Sequence, residues 1–234
     1  PGVIGESNLA LLEPAMSELR EQAASRLAEF ESAAWKMDVK SFEKRLVEDD
    51  AGVGLCLQAR YSDLVVIGQV NRADYSAVLR ADFPEYVLLN CGRPVLIVPY
   101  AGHFPACGKR VLVAWDASVE ATRAVSASIP LLQQAELVRV VVFDRGNPSG
   151  AHGEQPGADI ALYLARHGIK IEVSEQAMPK DIDTGNALLS HAADFGADLI
   201  VMGGYGHKRF REIMLGGVTH TILESMTVPV LMAH

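Results

Sequence analysis

What most restricts the fold of this chain is an internal repeat: the 234-residue sequence matches itself at an offset of about 135. Asp63-Leu-Val-Val-Ile-Gly68 is answered by Asp198-Leu-Ile-Val-Met-Gly203, and Pro94-Val-Leu-Ile-Val98 by Pro229-Val-Leu-Met-Ala233. The Asp-to-Pro separation is 31 residues in both copies. Such a period is too long for a solenoid and suits two copies of one domain. The expected division is a first copy over residues 1–104 and a second over 105–234.

The second copy alternates strand and helix. Lys109–Trp115 is a short β-rich run ending at Asp116, and Ser118 is placed to cap a helix over 120–132. Leu137–Phe143 forms a second strand, followed by a Gly- and Pro-rich loop over 144–157 and a helix over 158–167 that Gly168 closes. Ile169–Glu175, a helix over 184–195, Asp198–Met202, a last helix and Val228–Ala233 complete the series. These strands are apolar along their whole length, as in a parallel sheet covered on both faces. The ligand crevice of such a sheet lies where strand order reverses, so Asp116, Val142 and Gly203 are expected to converge there.

In the first copy, residues 1–50 supply a long helix from Leu9 to about Trp35 and one candidate strand, with nothing that matches Val111–Asp116. A further strand–helix–strand portion is expected ahead of Pro1.

Composition narrows the partners. Hydrophobic residues make up 49% and charged residues 21%, a globular balance. Runs such as Val140–Phe143 and Leu199–Gly204 fall short of the roughly 18 apolar residues a membrane span needs. A formal charge of −8 disfavours nucleic acid, whose binding requires a broad basic face. Cys56, Cys91 and Cys107 are widely spaced and read as free thiols of a cytoplasmic protein, and His152, His167, His191 and His220 lack metal-ligand spacing.

The most informative stretch is Gly203-Gly-Tyr-Gly206-His-Lys-Arg-Phe-Arg-Glu-Ile-Met-Leu-Gly216-Gly217-Val-Thr219. Glycine at a strand end lets the backbone approach a ligand. Gly216 and Gly217 open the last helix, whose first N–H groups lack intrahelical partners and favour an anion. His207, Lys208, Arg209 and Arg211 form a basic cluster beside it, and Thr219 adds a hydroxyl. Phosphate is the anion this set suits. Plainer readings stand alongside: Asp116 also suits capping of its own turn, His207 a solvated loop position, and Met202 and Trp115 the core.

The motif Gly-x2-Gly-x9-Gly at Gly203, Gly206 and Gly216 resembles the nucleotide-binding branch of the universal stress protein family, in its tandem two-domain form. The resemblance implies two tandem doubly wound α/β domains with parallel five-stranded sheets, the first N-terminally incomplete. It implies an adenine nucleotide, ATP or AMP, with Mg²⁺ bridging the phosphates of a triphosphate. Ala114 and Asp116 at the end of the first strand and Val142 at the end of the second would then hold ribose and adenine. Met202, Gly203, Gly206, His207, Arg209, Gly216, Gly217, Val218 and Thr219 complete the candidate contacts. Two departures stand out. Gly217 occupies the place of the family's Ser or Thr, and Ala114-Trp-Asp116 that of its Pro-Thr-Asp. In the first copy, Asn71, Ala81 and Asp82 replace Gly206, Gly216 and Gly217, so no nucleotide is expected there.

No Walker lysine, nucleophile elbow or paired carboxylates accompany the motif. The expected role is a stress-response sensor or adaptor with at most slow ATP hydrolysis; the alternative is an interaction module, its crevice empty or holding an apolar metabolite. The two copies are expected to pack through edges that include Val95–Val98 and Val230–Met232, with a homodimer as a further assembly.

Overall fold

The computed structural model describes residues 6–71, 82–144, 157–177, 182–206 and 217–234. It divides into two compact units, the first ending at Asp50 and the second running from Ala51 to His234.

The first unit is built on α1 (Glu6–Lys36), which carries Pro14 within it. The chain folds back after Asp38, a non-glycine residue with φ of 56°. Phe42 then meets the edges of Phe30 and Trp35 at centroid distances of 5.6 and 5.7 Å. Arg20–Glu48 and Lys44–Glu31 ion pairs tie the returning segment to the helix. The candidate strand of this region does not form: residues 39–50 adopt neither helix nor strand. Within the unit they have no ladder to join, and an unpaired strand leaves its backbone groups to solvent.

The second unit contains α2 (Ala51–Ala59), β1 (Val65–Gly68), α3 (Phe83–Asn90) and β2 (Val95–Val98), then β3 (Arg110–Ala114) and α4 (Val119–Leu132). It continues with β4 (Leu137–Asp144), α5 (Ala158–Arg166), β5 (Ile171–Ala177), α6 (Thr184–Phe195), β6 (Leu199–Gly203), α7 (Gly217–Ser225) and β7 (Val230–Ala233). All seven strands join one sheet in the order β1-β2-β7-β6-β3-β4-β5. Every neighbouring pair is parallel except β2 and β7, which run antiparallel with Leu96 opposite Leu231.

The second copy supplies the expected five parallel strands, β7-β6-β3-β4-β5, and the first is incomplete, with two strands among the described residues. What differs is that the edge of β2 pairs directly with β7, so one sheet holds both copies rather than two.

The inner strands β3, β4, β6 and β7 are buried on both sides, while the edge strands β1 and β5 carry exposed residues. Leu112, Ile200, Val230 and Met232 face a cluster that includes Val87 of α3, Leu188 of α6 and Ile222 of α7. Val113, Val140, Val201 and Leu231 face the opposite cluster, with Val125 of α4 and Leu164 of α5. Burial on both faces requires the uninterrupted apolar runs of the sequence. Ser118 caps α4 by accepting from the Ala121 N–H, and Gly196 closes α6 with φ of 67°.

The repeat is visible in the backbone. Offset by 135, β2 falls on β7 residue for residue, and the Val65 N–H to Pro94 carbonyl bond falls on Ile200 to Pro229, each 3.0 Å. The Asp of the repeat has a structural role in the second copy: Asp198 accepts from the N–H groups of Gly108, Lys109 and Arg110, anchoring the entry to β3. No helix among the described residues is long and apolar enough to cross a membrane.

Candidate functional site

β3 lies between β4 and β6, and strand order reverses there. The chain leaves β3 for β4 and β5 on one side and returns to β6 and β7 on the other, which opens a crevice at the carboxyl ends. Ala114, Asp116, Val142, Met202 and Gly203 thus occupy the ends of three adjacent strands. Ala114 is half-buried and Asp116 exposed. Val142 and Met202 point their side chains into the core, at 2% and 4% exposure, so only their main chain is left for a ligand.

Asp116 begins a tight turn. Its Oδ1 accepts from the Ser118 N–H at 3.0 Å, across Ala117 with φ of 58°. This local bond uses part of the carboxylate's acceptor capacity and leaves the rest.

The glycines of the next strand end answer to close packing. A Cβ on Gly203 would stand 2.5 Å from the Ala121 nitrogen and 2.8 Å from the Glu120 carbonyl carbon, both backbone atoms of the first turn of α4. A Cβ on Gly206 would stand 2.8 Å from Oε2 of Glu120. Between them Tyr205 takes the left-handed φ of 60°, a region costly for a residue with a side chain. The Tyr205 N–H donates to Oγ1 of Thr219 at 3.2 Å, and the Gly204 N–H donates to the Ala233 carbonyl at 2.9 Å.

Thr219 is therefore a buried clamp between α7 and the strand-end loop, at 3% exposure. Gly217 is the exposed first residue of α7, with open space where a Cβ would lie, and Val218 packs in part against the core. His207, Arg209 and Gly216, with Lys208 and Arg211, lie outside the described residues. In the first copy Asp82 takes the N-cap position of α3 without a side-chain cap.

Two residues at this site were not singled out from the sequence. Glu120 brings a carboxylate to Gly206; its placement in the first turn after the β3 end is a readable signal. Tyr205 has no such signal. Its phenol oxygen is buried without a hydrogen-bond partner among the described residues. Burial above all, then the Glu85 carboxylate, pushes its ionisation far above the usual tyrosine range. It stays neutral. Among the described residues no group of three or more His, Cys, Asp or Glu is arranged to hold a metal ion.

Comparison with known proteins follows the second copy. The model of the universal stress protein family matches residues 108–234, more than half of the chain. Universal stress protein YxiE of Bacillus subtilis (strain 168) is 30% identical over 142 residues, covering 52% of this chain and 96% of that protein. Universal stress protein Slr1230 of Synechocystis sp. is 28% identical over 149 residues, covering 63% of this chain; the chain spans 49% of that relative's length. A universal stress protein from Archaeoglobus fulgidus DSM 4304 shares the fold at a TM-score of 0.69 and 20% identity, over 92% of this chain and 77% of that one.

Proposed function

Because the chain belongs to the universal stress protein family, we propose that its second copy, residues 105–234, binds an adenine nucleotide, ATP or AMP, and that the bound nucleotide biases association with a partner. The copy over residues 1–104 serves as a structural or regulatory half, and the protein works in the cytoplasm, alone or as a homodimer.

One observation supports this reading: β3 and β6 are neighbours at the reversal point, Asp116 is exposed just after β3, and the Gly203–Gly206 loop after β6 is bonded to the first turn of α7 through Tyr205 and Thr219. Ribose hydroxyls suit Asp116, an acceptor with capacity beyond its turn bond. The Ala114 and Val142 main chains lie at the neighbouring strand ends, where adenine would sit. Phosphates suit the first N–H groups of α7, which lack intrahelical partners. His207, Arg209 and Gly216 complete the proposed contacts. Mg²⁺, when carried in with a triphosphate, neutralises phosphate charge. The output in this reading is binding, with at most slow hydrolysis of the nucleotide.

Equilibrium dialysis with labelled ATP tests the reading. Binding at or below millimolar ligand, abolished by Gly206→Asp, is expected. That variant adds both a Cβ against Glu120 and a negative charge. No binding by the native protein, or undiminished binding by a folded Gly206→Asp variant, overturns it.

A second reading draws on Glu120 and Gly217: a carboxylate beside the loop and a missing hydroxyl both weaken phosphate binding. In that reading the protein is an interaction module, its crevice empty or holding an apolar metabolite. Mass spectrometry of ligand released from protein purified without added nucleotide separates the two, adenylate supporting the first and a lipid-like metabolite the second.

A further inference from the structure

A groove of about 440 Å³ lies outside this crevice, between the end of α3, the outward face of α4 and the last residues of β7. Leu88 and Ala233 are its most buried lining residues, at 2% and 5% exposure, and Leu89 stands exposed at 41%. Arg93, Arg123 and His234 supply its charged and titratable groups, and no carboxylate side chain lines it, although the chain carries a formal charge of −8. Arg123 has no ion-pair or hydrogen-bond partner among the described residues, and Arg93 uses its Nη2 on the Arg60 carbonyl at 2.7 Å. A guanidinium offers five N–H donors, so both arginines retain capacity for carboxylates.

We propose that this groove docks an acidic, leucine-bearing peptide segment of a partner protein. Its apolar side chain packs on Leu89, exposed at 41%, and its carboxylates pair with Arg93 and Arg123. The two arginines come from different elements, α4 and the turn between α3 and β2, with apolar surface between them. A segment with separate apolar and acidic residues can meet both arginines and the leucine, and arginine is a favoured residue for such interfaces.

The groove also touches the strand-end loop. The Gly204 N–H donates to the Ala233 carbonyl, and Nδ1 of His234 lies 3.1 Å from the Gly204 carbonyl oxygen. A Cβ on Gly204 would stand 2.6 Å from Leu88. An occupant that shifts Leu88 or His234 therefore displaces Gly204, which is next to Tyr205. Docking itself stands independently of nucleotide binding.

The test uses the full chain and fluorescein-labelled ten-residue peptides, a set in which leucine stands one to three residues from paired Asp or Glu, with lysine-reversed controls. Anisotropy should find acidic members binding below millimolar concentration while the controls do not. Arg93→Glu and Arg123→Glu should each weaken binding about tenfold, the order of a lost interfacial charge pair. Amide resonances of Ala127, His234 and Gly204 should move on titration, and the same result is expected in the Gly206→Asp variant. The proposal is overturned if no acidic member binds, if the controls bind equally, or if a folded Arg123→Glu variant binds unchanged. Inorganic phosphate that shifts the same resonances and displaces the peptide at matched concentration would assign the groove to a free anion instead. Self-association abolished by Arg123→Glu would assign it to a second copy.

Discussion

The side-chain amide of Gln69 donates to the main-chain carbonyl of Leu223 at 2.8 Å, joining the end of β1 to the last turn of α7 across 154 residues of sequence. The same nitrogen reaches the Glu224 carbonyl at 3.1 Å, and Oε1 accepts from the Tyr100 N–H at 3.3 Å. Gln69 is 8% exposed, so these partners have little access to water in its place. Gln69→Leu should lower unfolding free energy by about 1–3 kcal/mol, the cost of stranding buried polar groups. Urea denaturation measures it, and a loss under about 0.5 kcal/mol would contradict this account.

Gly203 and Gly217 should respond in opposite ways to a side chain. Gly203→Ala forces its Cβ into the α4 backbone and should cost about 1–3 kcal/mol. Gly217→Ser meets open space and should leave the thermal midpoint nearly unchanged. Its hydroxyl should also raise ATP affinity by about tenfold, the worth of one bond to a charged group. Calorimetric titration of both variants checks the contrast.

Glu120 places a carboxylate beside Gly206, next to the phosphate position of the proposed nucleotide. Glu120→Gln keeps the shape and removes the charge, so ATP should bind several-fold more tightly at low salt and the gain should shrink as salt rises. A salt-independent effect, or none, would separate Glu120 from the ligand.

His191 makes stability fall on the acid side. Burial first, and the Arg139 guanidinium second, hold its imidazole below the ordinary 6.5, with Asp194 opposing them. Its Nε2 is buried without a partner among the described residues. The unfolded chain thus takes up this proton at higher pH than the folded one. The contribution is full above about pH 6.5 and is lost as pH falls toward the folded value. His191→Gln should flatten the urea midpoint between about pH 6.5 and 5.

Most of the second copy was legible because its helices carry their own punctuation. Ser118, Gly168 and the apolar run Leu199–Met202 fall at or within a residue or two of the element boundaries they mark. The repeat located β1 and β2, and the edges expected to meet, Val95–Val98 and Val230–Met232, do pair as β2 and β7. The antiparallel direction of that pairing was not legible, since a strand edge offers the same backbone groups to a partner of either direction. At the site, spacing identified Gly203 and Gly206, yet nothing in it distinguishes a glycine bared for a ligand from one pressed against α4. Thr219 reads as a free hydroxyl until Tyr205 is seen to occupy it. Such contacts join residues distant in the chain, and local propensity carries no trace of them.

The antiparallel seam between β2 and β7 fixes which way each copy faces. Because β1 and β2 run against the other five strands, the first copy's strand tips emerge at the opposite end of the sheet from Asp116 and Gly203. A molecule held at one end cannot touch the other. Beside the ladder, Gln69 against Leu223 and Gly204 against Leu88 also join the first copy to the second.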